Sequence, residues 1–142
     1  MRITMVAVLA AALVVAGLGL GHAAAGTRGL AVGATARGSI HVTLVASTHK
    51  PKVNVPWPVS VTVTNGAGKP VPGTLTMLVL FNGAQVGKID EGAVYHFVGT
   101  WKEKAGNEIT WPAASRGQPL TLQFVVKAQG QTVRKNWAIQ VS

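Results

Sequence analysis

Few side chains in this sequence of 142 residues could carry out chemistry. There is no cysteine, so thiol catalysis, disulfide frameworks, Cys-ligated zinc and iron–sulfur clusters are excluded. Adjacent Asp90 and Glu91 would point to opposite faces of a strand, while Glu103 and Glu108 flank a Gly106-Asn107 turn. A glycosidase needs two carboxylates at a defined separation in a cleft, and nothing else in the sequence supports one. We interpret all four carboxylates as solvated charges and predict that the protein is not an enzyme.

The histidines give no better candidate for a chemical site. No two of His22, His41, His49 and His96 have the close spacing of a metal-binding pair, so we predict neither a metal site nor a cofactor. One alternative stays open. If export processing cut the chain after Gly21, His22 would become the N-terminal residue, and its amine and imidazole could chelate copper. The protein would then be an exported carrier of a metal or another small ligand.

The N-terminal residues have the three-part pattern of a secretory signal peptide. Arg2 precedes an apolar run from Met5 to Leu20, and Ala23-Ala24-Ala25 follows as a cleavage site. The run is shorter than the roughly 20 residues that a membrane-spanning helix needs. We therefore predict a signal peptide over residues 1–25 and a secreted, extracytoplasmic product with no stable membrane insertion after cleavage.

The remaining chain has the pattern of a single all-β domain. Residues 26–38 are rich in Gly, Ala and Thr without any periodicity, which predicts a flexible lead-in. From Ser39 onward, apolar and polar residues alternate, as in strands with one buried and one solvated face. Strong turn signals separate the runs, and no segment has a helical period. Strands are predicted over residues 40–44, 59–64, 74–81, 93–101, 120–127 and 132–141.

One of these turns also carries a family resemblance. The run from Val61 to Gly73 (VTVTNGAGKPVPG) resembles the signature of bacterial immunoglobulin-like domains of the invasin and intimin type, in which it closes one strand, turns and opens the next. Asn65 stands where that family usually has Asp, and either residue can close an Asx-turn. The resemblance implies an immunoglobulin-like antiparallel β-sandwich of about seven strands over residues 39–142. It also implies surface display or adhesion, and it brings no catalytic residues.

The four tryptophans divide into two groups. Trp101 and Trp137 are in register with apolar neighbours on strands, which predicts core positions. Trp57 lies between two prolines at a strand entrance, and Trp111 precedes Pro112 at a strand exit. Each of these two either caps an end of the sandwich or offers a stacking platform to a sugar ring or to an apolar side chain of a partner.

Positive charge dominates the composition, and it indicates either a soluble surface that is merely cationic or a surface that attracts anionic polymers. Thirteen Lys and Arg against four Asp and Glu give a net charge of +9, and the mature chain without Arg2 keeps +8. Two small clusters, Lys50/Lys52 and Lys102/Lys104, join Trp57 and Trp111 as candidate ligand-binding residues. We expect a secreted, non-enzymatic binding or structural module that contacts an anionic cell-envelope polysaccharide or a surface protein. Nucleic acid is not an expected partner, because the chain is predicted to be exported and lacks interleaved exposed aromatics.

Overall fold

The computed structural model describes residues 3–5 and 38–142, and this part of the chain is all-β. It forms two antiparallel sheets that pack as a β-sandwich, with no α-helix among the described residues. Apart from residues 3–5 and 38, the predicted signal peptide (1–25) and lead-in (26–38) lie outside the described residues. Both therefore stay predictions.

The strands are unequally divided between the sheets. In chain order they are β1 (Ile3–Met5), β2 (Ile40–Ala46), β3 (Val59–Asn65), β4 (Pro72–Phe81), β5 (Ala84–Ile89), β6 (Tyr95–Val98), β7 (Thr100–Lys102), β8 (Pro119–Ala128) and β9 (Gln131–Gln140). The larger sheet has the order β1-β5-β4-β8-β9, with β6 also paired to β4. The smaller sheet has the order β2-β3-β7. Two short 3₁₀ turns cover Asp90–Gly92 and Ala113–Ser115.

The core lies between the two sheets, where the inward faces of the strands meet. Val61 and Val63 of β3 face Leu75 and Met77 of β4 and Phe124 of β8 in one cluster, and all five side chains are fully buried. Their neighbours along each strand point outward, which confirms the predicted alternation. Since the chain has no disulfide, burial of apolar surface is the main source of its stability.

The predicted turn after β3 is confirmed, together with its physical cause. The Oδ1 atom of Asn65 accepts hydrogen bonds from the backbone N–H groups of Ala67 and Lys69, both at 3.0 Å. Gly68 supplies a positive φ of 76°, a conformation that costs glycine little. The chain then re-enters the larger sheet at β4.

Two strand predictions differ from the structure. The single strand predicted over 93–101 is wrong, because β6 pairs with β4 in the larger sheet and β7 pairs with β3 in the smaller one. Gly99 makes this change of sheet with a φ of 70°, and its backbone N–H and C=O bond to Val71 and Val63. Strand β5 was not predicted. The predicted Asn82-Gly83 turn joins it to β4, with positive φ at both residues.

Candidate functional site

Trp57 and Trp111 lie together in the core at one end of the sandwich. Their side chains are only 2% and 0% exposed, and their rings meet edge to face with centroids 5.9 Å apart. Backbone bridges join Trp57 to Ile109 and Val53 to Trp111. The prediction that either ring is a stacking platform is therefore wrong. The alternative, that they cap the sandwich, fits their position.

The two indole N–H groups have different surroundings. The Nε1 of Trp57 donates a hydrogen bond to the carbonyl of Thr48 at 3.0 Å, which ties the loop before β3 to the core. The Nε1 of Trp111 is buried and has no hydrogen-bond partner among the described residues. An unpaired buried donor costs folding free energy, which the burial of the apolar part of the Trp111 ring must offset.

Glu103 is not a solvated loop charge, which corrects the sequence-based interpretation. Its carboxylate is partly buried just after β7, and its two oxygens accept backbone N–H bonds from different segments. Val59, at the start of β3, donates to one oxygen at 2.9 Å, and Ile109 donates to the other at 3.0 Å. Because these donors would otherwise be left unpaired, the side chain is a clamp between two segments.

The electrostatics of Glu103 follow from this position. The pKa of Glu103 is raised from 4.5 to about 7, chiefly because burial disfavours the charged form; the two backbone N–H bonds oppose this rise, and the nearby charge of Glu108 adds to it. Both carboxyl groups line an open groove of about 340 Å³, whose apolar wall includes Val45 and Pro58. A carboxyl group with a pKa near 7 can act as a general acid or base near neutral pH. However, both oxygens of Glu103 are engaged with the backbone, so the arrangement supports a structural role.

Asp90 and Glu91 lie in a turn and not on a strand. They form the 3₁₀ turn after β5, with positive φ values of 45° and 57°. The hydroxyl of Tyr95 donates a hydrogen bond of 2.5 Å to the carboxylate of Asp90. Burial, followed by this bond to a carboxylate, raises the pKa of Tyr95 well above its usual range.

The four predicted lysines are all exposed. Lys50 and Lys52 lie on the segment before β3. The residues that flank them, His49, Pro51 and Val53, form backbone hydrogen bonds with the last residues of the chain. Lys102 pairs with Ser60 in the smaller sheet and lines the groove beside Glu103, and Lys104 follows in the next turn. In the structure, these exposed lysines and the buried tryptophans do not form a single binding site.

The distribution of charge over the surface is more one-sided than the composition suggests. Residues 38–142 contain ten basic side chains, and all ten are exposed. Of the four acidic side chains, only Glu91 is exposed, and Asp90 and Glu103 bond to protein groups. Because the acidic groups are partly withdrawn from solvent, little negative charge offsets the positive surface.

His49 makes a contact that the sequence did not reveal. Its ring stacks on Trp137 with centroids 4.2 Å apart and an interplanar angle of 1°, and its Nδ1 donates to the carbonyl of Ala138 at 2.6 Å. Trp137 and Ala138 are 88 and 89 positions from His49 in the sequence, so no local pattern could have indicated these contacts.

In the described part of the chain, no three His, Asp or Glu side chains are grouped closely enough to hold a metal ion. His22, the residue of the copper alternative, lies outside that part.

No protein-family model matches this chain, and no curated protein sequence is significantly similar to it. Within residues 3–5 and 38–142, no helix has the length and apolar character needed to cross a membrane.

Proposed function

We propose that this chain is a secreted, non-enzymatic module of immunoglobulin-like type that binds anionic polysaccharide of a cell envelope through its positively charged surface. The observation that carries the proposal is the distribution of charge. All ten basic side chains of residues 38–142 are exposed, against one exposed carboxylate, Glu91. Such a surface attracts polyanions, and salt screens the attraction.

The state of the acidic side chains supports a role without catalysis. Both carboxylate oxygens of Glu103 accept hydrogen bonds from backbone N–H groups, and the carboxylate of Asp90 accepts a hydrogen bond from the hydroxyl of Tyr95. The tryptophans that could have stacked on a sugar are buried. Recognition would therefore depend on charge and hydrogen bonding at the surface.

Binding to immobilised polygalacturonate, with neutral dextran as the control, tests the proposal. The chain is expressed in full and purified in the form that the expressing cell delivers, and its exact mass gives the N-terminal residue. We expect binding to polygalacturonate that weakens steeply between about 0.1 M and about 1 M salt, and none to dextran. Equal retention on both polymers, or binding that salt leaves unchanged, would contradict an electrostatic mechanism. A mass that begins at Gly26 is expected for the predicted cleavage, and an unprocessed mass would contradict secretion.

A further inference from the structure

Strand register gathers basic side chains on the outer surface of the larger sheet. Thr74 of β4 pairs with His96 of β6 on one side and with Lys127 of β8 on the other. Lys127 in turn pairs with Thr132 of β9. Because directly paired residues in an antiparallel sheet point to the same face, these four side chains form one row across four strands. The sequence separates them by up to 58 positions.

This row points away from the core. Leu75 and Met77 on β4 and Val126 on β8 are buried in the sandwich, so their strand neighbours Thr74 and Lys127 project from the opposite face. His96, Lys127 and Thr132 are exposed, and Thr74 is partly so. The row is thus available to a partner.

The surface around Thr74 is concave. An open groove of about 320 Å³ is lined by Thr74, His96 and Lys127 and by the Gln129-Gly130 turn. Since neighbouring strands are about 4.8 Å apart, the backbones of His96 and Lys127 flank Thr74 at a separation of about 10 Å. One oxyanion fits this arrangement, with a hydroxyl beneath it and a nitrogen-bearing side chain on each side.

A second cation lies beside the groove. Arg134 pairs with Val125, two positions before Lys127 on β8, and diagonal neighbours of this kind are about 7–8 Å apart. None of the residues paired with His96, Lys127 or Arg134 is acidic. We call the surface formed by Thr74, His96, Lys127, Thr132 and Arg134 the basic face. Its two fixed cations suit two successive anionic groups on one polymer chain.

The uncharged side chains of this surface indicate the kind of polymer. Outward positions beside the basic face carry Thr76 and the amides of Gln123 and Asn136, which bond to each other at 3.0 Å. Hydroxyl and amide groups next to these cations suit the hydroxyl groups of a sugar. The paired positions named here hold no aromatic side chain on which a base could stack, unlike proteins that bind single-stranded nucleic acid.

From these observations we propose that the basic face is the binding site for an extended polysaccharide that carries carboxylate or phosphate groups. One anionic group sits over Thr74 between His96 and Lys127, and the next is bound by Arg134. This inference rests on the proposed function and gives it a location. It also replaces the lysine clusters named from the sequence as the principal site.

A charge-matched pair of double variants tests the location, again in the full chain. K127Q/R134Q removes two charges from the basic face, and K50Q/K52Q removes two charges from the segment before β3. We expect K127Q/R134Q to weaken binding to polygalacturonate about tenfold or more at about 0.1 M salt, and K50Q/K52Q to weaken it less than about threefold. All four side chains are exposed, so both variants should keep the melting temperature of the parent, which circular dichroism checks.

The outcomes separate the location from the function. Equal weakening by the two double variants would overturn the basic face as the site while leaving the proposed function in place. Failure of the parent protein to bind would overturn the proposed function itself.

T74V tests the groove without any change of charge, and we expect it to weaken binding severalfold because the hydroxyl under the anion is lost. Tighter binding to single-stranded DNA or to phosphatidylglycerol vesicles than to polygalacturonate would overturn the assignment to polysaccharide.

Discussion

Glu103 shows how a single side chain can join segments that are distant in sequence. Its carboxylate accepts N–H groups from Val59, 44 positions earlier, and from Ile109, six positions later. Burial of the charged form opposes these bonds, and the balance places its pKa at about 7. The residue therefore couples the attachment of β3 to the protonation state of a carboxyl group.

At about pH 5 we expect E103Q to lower the free energy of unfolding by about 1–3 kcal/mol, because both oxygens of a carboxyl group keep lone pairs that accept N–H bonds, whereas the amide NH₂ accepts none and leaves a backbone donor unpaired. Chemical denaturation followed by intrinsic tryptophan fluorescence measures this. E108Q removes the same charge beside the same groove. It should change stability much less, because Glu108 makes no side-chain hydrogen bond within the described residues. Equal losses in the two variants would contradict the clamp.

The same carboxyl group predicts a pH dependence with a definite sign. Its pKa rises from 4.5 to about 7 on folding, so between these values the folded state binds more protons than the unfolded state. Stability from this group is complete below about pH 4.5 and is lost as the pH rises through about 7. The stability gap between the parent and E103Q should therefore narrow over that range. Denaturation curves at several pH values check this, and a widening gap would contradict it.

At the scale of elements, Gly99 decides how the chain passes between the sheets. Its φ of 70° ends β6 in the larger sheet and begins β7 in the smaller one, and its backbone bonds to Val63 and Val71. A Cβ atom at this position would lie 2.9 Å from the Cβ of Pro70. The crossing point is thus closed to any side chain.

We expect G99A to be more destabilising than G68A by about 1–3 kcal/mol. Both glycines have a positive φ, 70° at Gly99 and 76° at Gly68, so both alanines carry a similar backbone strain. A Cβ at Gly68 meets nothing within 4 Å, whereas one at Gly99 overlaps Pro70. Thermal unfolding of the two variants isolates the overlap, and equal melting temperatures would show that Pro70 moves aside freely.

At the scale of the whole molecule, the described core is drawn from one continuous part of the chain. Every side chain assigned to the core cluster, whether buried or packed against it, lies between Ile40 and Val141. Strand β1 adds only a three-residue pairing at the edge of the larger sheet, beside β5. The predicted removal of residues 1–25 would take this strand away and leave β5 as the edge.

We therefore expect a truncated chain that begins at Gly38 to fold cooperatively, with a melting temperature within a few degrees of that of the protein delivered by the expressing cell. Circular dichroism during heating measures this. Gel filtration of the same sample measures its oligomeric state, because an uncovered edge strand can pair with another chain. A truncated chain that lacks cooperative unfolding would show that residues before Gly38 belong to the core.

Much of the fold could be predicted because its signals are local. Alternation along residues 59–64 and 120–127 follows directly from the two-residue period of a strand, and the Asn65 turn follows from side-chain chemistry within four residues. The prediction over 93–101 was wrong because alternation continues through Gly99 although the chain changes sheet there. Which sheet a strand joins depends on its pairing partner, and periodicity does not report the partner.

The sequence by itself determined the all-β class, the absence of thiol chemistry and the excess of positive charge, since composition and short-range spacing are sufficient for each. Only the tertiary structure decided that Trp57 and Trp111 are buried, that Glu103 is a clamp, and that His96 and Lys127 flank one threonine. These outcomes depend on strand register between residues tens of positions apart. Register is set by the burial of whole strand faces together, so no single segment of the sequence carries it.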